Sequence, residues 1–402
     1  MDAWIPKRSW LMLEASGLRA LDIKGKKILP IVQGGMGVGV SAHKLAGTVA
    51  KMGGMGTISS IDLRRLHPDL MKKTQHLLPS EHSKRVINEA NIEALTREIR
   101  QAKDIAQGQG LVAVNVMRAV KEYAAYVKCS LENDADAIVV GAGLPLDLPD
   151  LAAEHPNVAL IPILSESRGI HLLLRKWEKK GRLPDAIVIE NPRWAGGHLG
   201  ASQLTDVGDT KFDFEVVIPQ TLEIFKQMGI EGSIPLIAAG GINSLEDIRR
   251  IQGLGAQGVQ LGTAFAVTQE CDAHENFKHV LANAKPEDMV DFQSVAGLPA
   301  RAVKTKWLTS YLKAEPVLQE NARQKNRCTM IFDCLHECGL RDGKSQWGQF
   351  CIDKVLGYAQ AGNLGKGLFF RGAGSLPFGD QDRKSTRLNS SHTDISRMPS
   401  SA

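Results

Sequence analysis

Short apolar runs recur between residues 28 and 285, separated by stretches in which apolar residues return with helical spacing. The runs are ILPIV (28–32), MGTISS (55–60), LVAVNVM (111–117), DAIVVG (136–141), VALIPIL (158–164), DAIVIE (185–190), IPLIAAG (234–240) and AQGVQLG (256–262). Most are apolar almost throughout rather than at alternate positions, which predicts strands covered on both faces. Between them, Leu45, Val49 and Met52 mark one helix, and Leu245, Ile248 and Ile251 mark another that opens with the capping pair Ser244 and Asp247. Strand and helix in alternation predict a parallel α/β fold, and eight such strands are what a (β/α)8 TIM barrel requires.

Two connections, about 62–90 and 199–215, exceed simple turns and predict excursions over the barrel mouth. Beyond residue 300 the pattern changes: WLTSYLKAEPVLQENA predicts a helix, followed by cysteines and the glycine-rich GLFFRGAGSLPFG. The resulting division is a lead-in at 1–27, a barrel at 28–303, a C-terminal helical, cysteine-containing appendage at 304–380, and a tail at 381–402. The tail is serine-rich and poor in apolar residues; it is expected to be disordered, resembles translated vector sequence and is assigned no function.

Composition narrows the class without changing the fold. The 402 residues are 43% hydrophobic and 23% charged, as in water-soluble globular proteins, and the 39 glycines predict many tight loops. Lysine plus arginine (49) nearly balances aspartate plus glutamate (44), and no basic run is interleaved with aromatics, which argues against nucleic acid and anionic membranes as partners. The N-terminal apolar stretch is cut by Glu14 and no run is long enough to span a bilayer, so the expected location is cytoplasmic.

In barrels the site lies at the C-terminal strand ends, and a phosphate commonly sits on the loops after strands 7 and 8. Here those ends read AAGGIN and VQLGTAF, so Gly240, Gly241, Gly262 and Thr263 offer backbone N–H groups and a hydroxyl to a phosphate-bearing ligand. Gly37 to Ala42 also match the dinucleotide pattern G-x-G-x-x-A, with Asp62 about twenty residues on; the preferred reading is a first barrel loop approaching a flat ring. His198, behind two glycines and before a third, is presented after strand 6 and is the candidate proton-handling residue, since histidine titrates near pH ~6.5.

Taken in order, QGGMG after strand 1, VNVM at strand 3, AGGHLG after strand 6, AAGGI, VQLGTAF and SVAGLPARAV resemble the nitronate monooxygenase (2-nitropropane dioxygenase) family of FMN-dependent barrels, across about residues 28–303. The resemblance implies that Gln33, Gly34, Gly35, Met36 and Asn115 contact the flavin ring and that Gly196 and Gly197 close over it. It further implies that Gly240, Gly241, Gln260, Leu261, Gly262 and Thr263 hold the ribityl phosphate. The run ENPRWAGGH is longer than the family's EGPLAGGH, leaving Glu190 or Asn191 for one flavin-contacting position. The implied activity is oxidation of nitronates or nitroalkanes by O2 to a carbonyl compound and nitrite, with His198 removing the proton of a neutral nitroalkane. The family also includes NAD(P)H-dependent enoyl-thioester and quinone reductases, which stand as the alternative; a non-catalytic FMN-binding partner protein is a third reading.

Six cysteines include four late in the chain, Cys328, Cys334, Cys338 and Cys351, spaced C-x5-C-x3-C-x12-C. Four soft ligands suit zinc or an iron–sulfur cluster. The helical character of DCLHEC puts Cys334 and Cys338 on one face, however, so the preferred reading is reduced structural thiols and no metal. Cys129 and Cys271 read as core or helix residues.

Overall fold

Eight parallel strands close on themselves in chain order: β1 (Ile31–Gln33), β2 (Met55–Ser59), β3 (Leu111–Met117), β4 (Ala137–Gly141), β5 (Ala159–Leu164), β6 (Ile187–Glu190), β7 (Leu236–Ala239) and β8 (Gly258–Leu261). The last strand returns to the first through Val259↔Ile31, Gln260↔Val32 and Leu261↔Gln33. The computed structural model describes residues 4–323 and 328–376; the predicted tail at 381–402 lies outside the described residues. Every predicted strand run contributes to the barrel, so the (β/α)8 expectation holds.

Strand residues divide between two apolar layers. Val32, Met55, Leu111, Val139, Ile161 and Val188 fill the barrel interior, while their neighbours along each strand pack outward against the helices. The first predicted run is split by the structure: Ile28 belongs to a hairpin (Leu21–Ile23 with Lys26–Ile28) and the barrel strand starts at Ile31. Leu21, Ile23 and Ile28 join the interior layer. Lys24 and Lys26 pair with Asp185 and Asp136, just before β6 and just before β4, at 3.3 and 3.1 Å. The hairpin therefore plugs the N-terminal end of the barrel.

The helix over Leu245–Gly253 starts as its sequence predicts. Ser244 Oγ accepts from Asp247 N at 3.0 Å and the Asp247 carboxylate accepts from Ser244 N at 3.1 Å, satisfying two otherwise orphaned donors. No helix among the described residues is long and apolar enough to cross a membrane.

The long connections do not cover the mouth. The first folds into a short 3-10 turn (Leu63–Leu66), a helix (Pro68–Thr74) and a long helix (Glu81–Ala106) whose Ile87, Leu95 and Ile99 pack on the outer layer. The second forms two 3-10 turns around a small apolar cluster that includes Leu199, Val207 and Phe212. The mouth is instead roofed by the C-terminal segment: a bridge of Leu335 to Val120, a helix (Ile352–Gln360) and a strap running through Phe370 to Ser375. The strap bridges Phe370 to Ala302, and Val303 N donates to Phe369 O at 2.9 Å.

A buried ionic cluster fastens the roof helix. Asp62, at φ 44° and 1% exposed, pairs with Arg64 at 2.8 Å and with Arg65, and Arg65 also binds Asp353 on the roof helix. Burial and the neighbouring Asp353 push the Asp62 carboxyl up to about 7. Asp62 is thus consumed inside the protein and is not presented to a ribose, which removes the dinucleotide reading of Gly37 to Ala42.

Candidate active site

A cavity of about 310 Å3 opens at the C-terminal end of the barrel, within the size range of small-ligand pockets. Its floor is formed by the strand ends and by the loops that leave them: Gly34, Gly35 and Met36 after β1, Asn115 on β3 and Glu190 closing β6. Gly240 and Gly241 after β7, with Gln260, Leu261, Gly262 and Thr263 at the end of β8, line one side. Gly196, Gly197 and His198 line another. The structure thus gathers the predicted residues around one space, with one exception. Gln33 is fully buried between β1 and β2, where its Oε1 accepts from Thr57 N at 2.8 Å and its Nε2 donates to Gly34 O, so it shapes the loop from behind.

Glu190 and Asn191 lie in different surroundings. Asn191 is 2% exposed, and its Oδ1 accepts from Arg193 N at 3.0 Å within its own loop. Glu190 lines the cavity, has no hydrogen-bond or ionic partner among the described residues, and burial alone pushes its carboxyl up to about 7. A carboxyl with that environment is protonated through the acid range and charges only around neutrality.

His198 sits on a small three-stranded sheet rather than on a free loop. Gly197 and His198 pair antiparallel with the strand Pro299–Val303, which pairs with Met289–Gln293. Arg301 binds Asp291 through two contacts of 2.7 and 2.8 Å, and its third nitrogen collects the carbonyls of Pro192, Arg193 and Ala195. Such a planar fork, almost fully buried, holds the segment leading to His198 in one shape. His198 Nε2 lies 2.7 Å from Ser294 Oγ, and the ring packs edge-on against Phe370 with centroids 5.6 Å apart. Nδ1 has no partner among the described residues and remains reachable from the cavity. Burial pushes the imidazole down to about 4, so the ring is neutral at pH 7.

The phosphate expectation has its own geometry. The N–H groups of Gly240, Gly241, Thr263 and Ala264 donate to no acceptor among the described residues. Thr263 Oγ1 accepts from Gly372 N at 3.1 Å, which leaves its own proton to donate. Beside these turns the strap contributes Arg371, 3% exposed, whose guanidinium binds the carbonyls of Leu281, Gly372 and Gly374. Converging donors with a buried cation nearby form a site suited to a phosphate.

The glycines before His198 serve a contact that the sequence does not reveal. A Cβ at Gly196 would lie 2.3 Å from the Arg371 carbonyl carbon, so the absence of a side chain there lets the strap dock. Ser294, Arg301, Phe370 and Arg371 all escape the sequence reading; the strand-forming SVAGLPARAV is the only signal that pointed toward two of them.

Residues 21–364 match the family model described as nitronate monooxygenase. A "Probable nitronate monooxygenase" of Staphylococcus saprophyticus is 24% identical over 342 residues, spanning 79% of this chain and 86% of its own length. A protein of the same description from Staphylococcus aureus strain Newman is 26% identical over 334 residues, with 79% and 87% covered. Among solved structures, FabK from Thermotoga maritima superposes with a TM-score of 0.58 at 22% identity, covering 86% of this chain and 85% of that one. The nitroalkane oxidase from Streptomyces ansochromogenes follows with 0.57 at 19% identity, covering 86% and 89%. At these identities the structural likenesses speak for the fold.

Proposed function

The chain belongs to the nitronate monooxygenase family, and from that membership we propose that it is an FMN-dependent oxidoreductase that converts alkyl nitronates and O2 to a carbonyl compound and nitrite. Membership in a family of enzymes displaces the non-catalytic reading. The observation that carries the substrate choice is His198: a neutral ring facing the cavity, with Nε2 occupied by Ser294 and Nδ1 reachable.

The cavity residues fit the cofactor. The unpartnered N–H groups after β7 and β8, Thr263 and Arg371 would hold the phosphate, while the β1 loop and Asn115 would face the ring. Bound there, FMN supplies the one-electron oxidation of the nitronate and the activation of O2.

The protein's own part is to hold protons and exclude charge. Ser294 Oγ accepts from Ala296 N at 3.3 Å and lies 2.7 Å from His198 Nε2; in this reading the serine gives its proton to Nε2 and the ring carries its hydrogen on Nδ1. That atom would donate to a nitronate oxygen. A ring that protonates only near pH 4 is a weak base toward a neutral nitroalkane, so the burial favours the substrate that arrives already deprotonated. The roof of Leu335, Leu356 and Phe370 keeps the site apolar, which strengthens such a hydrogen bond.

Glu190 adds a pH limit. Its pKa is raised, so the neutral form prevails below about 7 and the anion above it. An anionic Glu190 shares the cavity with an anionic substrate and repels it. We expect kcat/KM for a nitronate to fall as pH rises through about 7, and Glu190→Gln, permanently neutral, to lose that limb. An unchanged limb in the variant would assign the titration elsewhere.

The reaction class is tested by anaerobic absorbance of the purified protein near about 450 nm, where oxidised flavin absorbs. Bleaching by an alkyl nitronate and not by NADH or NADPH is the expected result. Rapid bleaching by either nicotinamide identifies the reductase alternative instead.

A further inference from the structure

The four late cysteines are not used by the chemistry above, and the structure removes the reason for treating them as a shared helix face. DCLHEC is not helical: Leu335 forms an isolated bridge with Val120, and Cys334 and Cys338 lie on either side of it in extended or bent chain. The four thiols come from four different local structures and are folded toward one place. Thr329, next to Cys328, is bound by Lys354 in the first turn of the helix that follows Cys351. Gly339, next to Cys338, packs under Gly348, and its carbonyl accepts from Gln349 at 3.2 Å, two residues before Cys351. Cys334 lies in electrostatic range of Cys328, Cys338 and Cys351 alike.

We propose that Cys328, Cys334, Cys338 and Cys351 ligate an iron–sulfur cluster against the wall of the barrel cavity. Four cysteine thiolates are the ligand set of an iron–sulfur cluster; zinc takes the same four-sulfur set, and metal analysis separates the two. Backbone N–H groups are also aimed at the sulfurs: those of Leu340 and Arg341 at Cys338, and that of Lys354 at Cys351. N–H contacts of this kind tune a cluster once it is bound.

Placement adds to the case. Cys334 itself lines the cavity, so one ligand would belong both to the cluster and to the wall of the proposed flavin site. Leu335, Leu340, Phe350 and Ile352 nearby are apolar and buried, and the buried Asp353 lies in electrostatic range of Cys334 and Cys351. The ligation stands independently of the flavin reading, because metal content is measured without reference to flavin or turnover.

The test is iron, acid-labile sulfide and zinc analysis of the full chain, purified without oxygen and without a histidine tag, then repeated after incubation with ferrous iron and sulfide. Iron and sulfide in equal amounts, about two or about four of each per chain, with an electron paramagnetic resonance signal on dithionite reduction, is the expected result. Cys334→Ser and Cys351→Ser should lose most of the iron while circular dichroism and melting temperature stay near wild type; Cys129→Ser, outside the group, should keep it. Iron below about a tenth of an equivalent both before and after incubation, or one zinc in its place, overturns the proposal.

Discussion

Replacing His198 by alanine is expected to leave flavin bound and to lower kcat/KM for an alkyl nitronate by about 10²–10³-fold, the loss seen when one donor to developing or fixed negative charge is removed from a dry site. The flavin should stay because the proposed cofactor cradle is formed by the loops after β1, β7 and β8, and His198 rests on a separate small sheet. The asparagine variant sharpens the reading. Asparagine can present an N–H and cannot take up a proton, so His198→Asn should recover a large part of the alanine loss if Nδ1 acts as a donor. If asparagine is as poor as alanine, and neutral nitroalkanes are turned over well by the wild type, the ring is a base and the donor assignment fails. Full activity in His198→Ala would remove the residue from the mechanism.

Gly196→Val is the second large effect. Its Cβ would lie 2.3 Å from the Arg371 carbonyl carbon and 2.4 Å from Gly372 N, both backbone, so no side-chain rotation relieves the contact. The strap must move, and overpacking of this kind costs about 1–3 kcal/mol. Because Arg371 and the Gly372 hydrogen bond to Thr263 travel with the strap, the cost should appear as weaker FMN binding, about 5- to 150-fold. Barrel melting without flavin should change far less, since the barrel core does not depend on the strap. Equal FMN affinity in the variant would show that the strap does not contribute to the cofactor site.

The barrel was legible because its strands are buried on both faces and so write themselves as unbroken apolar runs; VALIPIL and LVAVNVM leave little else to propose. The glycine turns after β7 and β8 were legible for a related reason, since AAGGIN and VQLGTAF place small residues where the chain must bend beside the cavity. What failed shares a different physics. The hairpin Leu21–Ile23 with Lys26–Ile28 has strands too short to show a period, and only its burial inside the barrel explains them. The strap has no periodicity either, because each residue is positioned by a partner remote in the chain: Phe370 by Ala302 and His198, Arg371 by Leu281. DCLHEC carried helical spacing, but the segment is drawn out by its bridge to Val120, and local propensity gives way to tertiary pairing.

The roof over the cavity also has a consequence for how the protein is made. Ribosomal synthesis delivers β8 well before Phe370 and Arg371, and domains fold as their residues emerge. The barrel can therefore close its sheet while the mouth still stands open, and the strap arrives afterwards, across a pocket already shaped. On the proposed reading, cofactor loaded during synthesis would enter before sealing, and its release from a finished chain would require these later-made residues to lift first.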